Sequence, residues 1–183
     1  MKRKLLILSV LAICIATLTT GTLAFFTSEG KAHNVITTGG VKIAVQEWAD
    51  EGKEKPFENL EGIMPSMSAT KIAEIKNTGA SAAWVRVKVE KNIRLQGDST
   101  PDADLVKLDL NTTDWTKQDG YYYYNEALKP GEVTDPIFTK VTLDASMGNE
   151  YQHATVSVDV SAQAVQTANN GAAATAAQGW PNS

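Results

Sequence analysis

The feature that most constrains this chain is an alternation of apolar and polar residues that recurs along it. In Trp84–Glu90, the residues Val85, Val87 and Val89 fall on one side and Arg86, Lys88 and Glu90 on the other. A period of two sends successive side chains to opposite faces of a β-strand, so such a segment buries one face and wets the other. Val41, Ile43 and Val45 alternate in the same way with Lys42, Ala44 and Gln46. Val156, Val158, Val160, Ala162 and Ala164 alternate with Ser157, Asp159, Ser161 and Gln163, inside a strand expected over 154–166. Weaker strand signals cover 70–76, 105–110, 121–125 and 137–144, for a total of seven or eight strands. Turn residues separate them: Asn77-Thr78-Gly79, Gln118-Asp119-Gly120 and Lys129-Pro130-Gly131-Glu132. In the last of these, Pro130 pre-sets the first central φ and Gly131 accepts a positive second one, as a type II turn requires. Many short strands with frequent turns predict an all-β fold, an antiparallel β-sandwich over residues 36–166. The polar stretches 47–65 and 96–104 read as long loops.

The first 24 residues follow another logic. Lys2, Arg3 and Lys4 precede an apolar run from Leu5 to about Leu18, and the segment closes on Thr20-Gly21-Thr22-Leu23-Ala24. Basic head, apolar core and small-residue end make a secretory signal, expected to form a helix, with Thr22 and Ala24 flanking the cut and Phe25 as the new terminus. The rival is an uncleaved membrane anchor, because the uncharged run is long enough to cross a bilayer. The threonines and glycine of its second half favour cleavage. Cys14, the only cysteine, lies in the apolar core behind Ile13, whereas a lipid-attachment signal wants a small residue there. The exported part therefore has no disulfide and relies on its core, which a domain of this size can supply.

The whole chain carries 17 basic and 21 acidic residues, a formal net charge of −4. The leader takes three of the basic residues and no acidic one, which leaves the rest at −7. An acidic domain without a basic cluster is a poor partner for nucleic acid, since phosphate binding needs several cations on one face. His33 and His153 are far apart and have no neighbouring His or Cys, so no zinc site is expected. No nucleophile elbow, reactive cysteine or glycine-rich phosphate loop is present, and neither an enzyme nor a cofactor is expected. Asp98, Asp102 and Asp104 cluster without the spacing of a calcium loop and read as a solvated turn. Asn111-Thr112-Thr113 fits a glycosylation sequon, a motif short enough to arise by chance. Tyr121–Tyr124 could form a sugar-stacking platform, but alternation splits the four into two pairs, and burial of one pair is the simpler expectation. The tail, 167–183, is rich in alanine and is expected to be loosely held unless Trp180 docks; 172–178 has the composition for two helical turns.

Several of these segments resemble one family. The signal ending in Thr22-Leu23-Ala24-Phe25-Phe26, followed by Val35-Ile36-Thr37-Thr38-Gly39-Gly40-Val41-Lys42-Ile43, is similar to the start of TasA and camelysin proteins. Ile75-Lys76-Asn77-Thr78-Gly79 with Trp84-Val85-Arg86-Val87 resembles the first core hairpin of that family. Asp119 to Tyr124, Leu128 to Thr134 and Ser161 to Gln166 resemble patterns of its smaller members. The resemblance implies export, cleavage by a signal peptidase of the SipW type, a jelly-roll-like sandwich and a place in biofilm-matrix fibres. In the fibre formers an N-terminal strand is donated to the next subunit; here that donor would be Phe25 to about Val35, with Phe25, Phe26 and Val35 as apolar anchors. The chain is shorter than TasA and lacks its middle insertions and charged end. Camelysin's reported protease activity finds no supporting residue here.

Two functions follow as expectations. The first is a secreted structural protein of the cell surface or matrix, whose partner is another copy of itself, head to tail, and which meets the membrane only through its signal before cleavage. The second is an extracellular monomeric module for wall or host glycans, with a site on the loops 47–65 and 96–104.

Overall fold

The alternation at Trp84–Glu90 belongs to a longer strand, Ala83–Arg94, in the computed structural model, which describes residues 35–37, 40–58, 65–95, 100–151 and 154–181. Nine strands are present among them: β1 (Val35–Thr37), β2 (Ile43–Trp48), β3 (Ser68–Asn77), β4 (Ala83–Arg94), β5 (Val106–Leu108), β6 (Trp115–Gln118), β7 (Tyr121–Tyr124), β8 (Phe138–Leu143) and β9 (Thr155–Gln166). They form two sheets, ordered β1-β9-β4-β7-β6 and β2-β3-β8-β5. All pairings are antiparallel except that of β1, which runs parallel to β9. The two longest strands, β4 and β9, pair over their whole length, from Ala83↔Gln166 to Arg94↔Thr155.

The core lies between the sheets and is built from the apolar positions of the alternating segments. Val85, Val87, Val160, Ala162 and Ala164 of one sheet meet Ile43, Ala73, Ile75, Phe138 and Val141 of the other. The fold is thus the expected all-β sandwich, and burial of one face per strand is what holds it together.

The differences from expectation have identifiable causes. β6 escapes sequence reading because only Trp115 of its four residues is buried, so there is no alternation to see. Glu47 and Trp48, expected in a loop, extend β2, because the chain beyond them folds back and continues the ladder. The Ala49 N–H donates to the Lys55 carbonyl and the Phe57 N–H to the Glu47 carbonyl, each at 2.9 Å. The Tyr stretch alternates as anticipated, but both faces find cover: Tyr122 and Tyr124 join the main core, and Tyr121 and Tyr123 pack on the outer face.

What covers that outer face is the tail. Instead of two helical turns it makes one 3-10 turn, Ala174–Ala176, and it lies against β4 and β7 rather than loose. Ala174 and Ala177 are buried there beside Trp84, Tyr123 and Val165. The Trp84 indole N–H donates to the Gly171 carbonyl at 3.0 Å, and Trp180 stands edge-on to Tyr123 at 5.7 Å.

Candidate functional site

A sandwich of this kind can join another chain through its sheet edges, where backbone groups lack a partner strand. Three of the four edges are short or covered. β5 has three residues with exposed Lys107 at its centre, and β6 has four, with Thr116, Lys117 and Gln118 all exposed. Short edge strands carrying lysine are poor templates for pairing. On β2, the returning residues 55–57 bond the edge at Glu47 and Ala49.

The fourth edge differs. β1 pairs with only Ala162, Gln163 and Ala164 of the 12-residue β9. Among the described residues, no strand lies beside residues 155–161 on the side away from β4. The direction of the backbone there follows from the ladder. Ala83 exchanges both of its bonds with Leu128, on the β7 side, while the Thr167 N–H donates to the Ala82 carbonyl at 3.2 Å in the β4–β9 register. Within a strand the N–H and C=O of one residue point to the same side, and the side alternates. Odd-numbered residues of β9 thus face β4, and Val156, Val158 and Val160 direct their N–H and C=O outward.

One of those outward groups has a side-chain partner. The Lys71 ammonium donates to the Val158 carbonyl at 2.9 Å. Lys71 comes from β3 in the opposite sheet, and its side chain is only 7% exposed. Its Nζ also lies 2.9 Å from a Glu47 carboxylate oxygen and 4.2 Å from the centre of the Phe57 ring. Anion, carbonyl and aromatic face together compensate the burial of the charge. On the outer face of the same sheet, the Glu74 carboxylate accepts from the Trp48 indole N–H at 2.9 Å and pairs with Lys53.

Sequence reasoning passed over Lys71 and Glu47, although a signal existed. Lys71 shares the parity of Ala73 and Ile75 in β3, and Glu47 that of Ile43 and Val45 in β2, so both occupy apolar-face positions. Of the residues singled out from sequence, Thr22, Ala24, Phe25, Phe26, His33, Asp98 and His153 lie outside the described residues. Val35 opens β1 and pairs with Ala162 of its own chain. Asp102 caps the 3-10 turn Ala103–Leu105, accepting from the Asp104 N–H at 2.9 Å, and Asp104 pairs with Lys91 at 3.3 Å. No group of three His, Cys, Asp or Glu that could hold a metal occurs among the described residues. The Asn111 amide of the sequon donates to Asp114 at 2.9 Å and to the Pro136 carbonyl at 3.1 Å. Beside this loop, Phe57 lies against Lys71, and the Trp48 indole N–H donates to Glu74.

No helix among the described residues is long and apolar enough to cross a membrane. The chain matches no protein family profile, no curated protein and no solved structure.

Proposed function

We propose that the protein is a secreted structural subunit of a cell-surface or biofilm-matrix fibre, assembled by donation of its N-terminal segment to the next subunit. The observation that carries this reading is the outward edge of β9, which among the described residues β1 covers over three positions out of twelve. The stretch 155–161, beside which no strand lies among the described residues, is seven residues long, and residues 25–34 ahead of β1 number ten. The segment released by the signal cut is therefore long enough to fill the edge. Val35 stays with its own subunit, and the donated part is what precedes it, led by Phe25 and Phe26.

Strand addition satisfies backbone groups that water would otherwise solvate, and each aromatic seated in an apolar groove adds about 1.5–3 kcal/mol. Donor and acceptor are different surfaces of one chain, so the linkage is head-to-tail and open, which makes filaments rather than closed rings. The signal peptide fits this scheme, since a segment tied to the membrane cannot be donated until a signal peptidase of the SipW type has freed it. The resemblance to the TasA and camelysin proteins supports the same reading and extends it to a jelly-roll-like arrangement of the sandwich.

Size-exclusion chromatography and negative-stain microscopy of protein beginning at Phe25, beside protein beginning at Val35, test it. The longer form is expected to make filaments and the shorter to stay monomeric. Filaments from the shorter form, or a monomer from the longer one at high concentration and salt, would overturn strand donation. A persistent monomer that binds a glycan would put the binding module in its place.

A further inference from the structure

We propose that Asn170 is the clasp that holds the C-terminal tail on the outer face of β4 and β7, and that it is a site of spontaneous deamidation whose products let the tail go. This is independent of strand donation. The Asn170 side-chain oxygen accepts from the N–H groups of Gly171 and Gln178, both at 2.8 Å, and its amide donates to the carbonyls of Gln166 and Gln178 at 3.1 and 3.0 Å. A carboxamide has two donor hydrogens and two acceptor lone pairs, so its whole capacity is spent on the backbone around it. These bonds tie the end of β9 to residue 178 and close the tail into a loop. Beside the clasp, the Gly171 carbonyl accepts from the Trp84 indole at 3.0 Å, and the loop carries Ala174 and Ala177 onto Trp84, Tyr123 and Val165.

The residue after Asn170 has to be glycine. A Cβ at position 171 would stand 2.5 Å from the Ala176 carbonyl oxygen and 2.9 Å from the Ala177 nitrogen, both of them backbone. Asn-Gly is also the pair most open to deamidation, because no side chain on the second residue hinders its nitrogen from reaching the asparagine Cγ. Asn170-Gly171 is the one such pair in the chain. As its proton is lost to solvent base, the Gly171 nitrogen bonds to Cγ, the Cγ–Nδ2 bond breaks and ammonia leaves, and water opens the resulting succinimide to aspartate or isoaspartate. In the closed loop the Gly171 N–H donates to the Asn170 oxygen, so the reaction proceeds when that bond opens, slowly and in one direction. Neither product rebuilds the clasp. Aspartate turns an anionic oxygen towards the Gln166 and Gln178 carbonyls where the amide had offered hydrogens. Isoaspartate adds a methylene to the backbone ahead of Gly171 and draws its carbonyl away from Trp84.

The test ages the full 183-residue chain in non-ionic detergent at mildly alkaline pH. Peptide mass spectrometry locates deamidation, and amide hydrogen exchange is followed in the same samples. Fresh Asn170→Asp is measured beside it, with Asn169→Asp adding the same charge at the exposed neighbouring position. Circular dichroism checks that each variant keeps its sheets. Deamidation is expected at Asn170 ahead of every other asparagine. Exchange at the Ala176, Ala177 and Gln178 amides is expected to be about tenfold or more faster in the deamidated molecules and in Asn170→Asp, the factor for one buried hydrogen bond lost, and unchanged in Asn169→Asp. The aged parent folds with its amide intact, so it decides the matter even if Asn170→Asp loses its sheets. Deamidation that begins at another asparagine, tail exchange unaltered by the change at Asn170, or an equal rise in Asn169→Asp overturns the proposal.

Discussion

Single polar side chains at core positions tie this sandwich together. Asn77 is fully buried, and its amide donates to the carbonyls of Ser81 and Leu128 at 2.9 and 2.8 Å while its oxygen accepts from the Gly79 N–H. The Asn-Thr-Gly turn was legible in the sequence as a turn. The bond to Leu128 was not, because its partner lies 51 positions away and only the fold brings it close. Tyr124 shows the same limit. Its hydroxyl donates to the Asp135 carboxylate at 2.9 Å, and burial first, with that carboxylate adding, pushes the phenol up to about 12 from an ordinary 10.0. The folded protein therefore holds this proton more tightly than the unfolded chain does. The resulting stability is complete below pH 10 and is lost as pH rises towards 12. Denaturant unfolding between pH 9 and 11.5 is expected to show that decline in the parent and a weaker one in Tyr124→Phe. Identical slopes would mean that the phenol ionises as freely in the fold as outside it.

Among the elements, those with a strong period or a specific turn were readable, and those defined by what they pack against were not. β4 and β9 announce themselves by alternation, and the β6–β7 hairpin by Asp119-Gly120, both at positive φ, 50° and 81°, as its two-residue turn requires. The tail has neither period nor length. Its placement comes from contacts across the outer face, where the Arg86 guanidinium lies 3.9 Å from the Tyr121 ring centre and 4.6 Å from that of Trp180. Arg86 also donates to the Gln163 side chain at 2.8 Å and to the Tyr123 hydroxyl at 3.0 Å, so the tail closes over a cation already fixed in place. Trp180→Ala is expected to lower stability by about 1–3 kcal/mol, less than a fully buried tryptophan because the ring is half-buried. Far-UV circular dichroism should remain unchanged, since no sheet hydrogen bond is touched. Thermal unfolding at the parent's midpoint would show that the tail contributes nothing to the fold.

At the scale of the whole molecule, sequence could indicate a segment to be donated but not the surface to receive it. Which strand stands at an edge depends on sheet order, and sheet order is a property of the assembled chain. The sequence of β9 reads as a half-buried strand like any other, and nothing in it tells that β4 covers one side and that, among the described residues, β1 covers three positions of the other. Lys71 and Glu47 stand at apolar-face positions of their strands, and the sandwich makes them a buried pair beneath that edge. The central claim is that subunits join along Val156, Val158 and Val160. Residue-resolved amide hydrogen exchange on protein beginning at Phe25, as monomer and after assembly, tests it most directly. Exchange at the three valine amides is expected to slow by about a hundredfold or more on assembly, as it does when a backbone group enters a stable ladder. Filaments whose Val156, Val158 and Val160 amides exchange as fast as those of the monomer would contradict the account and place the joint elsewhere.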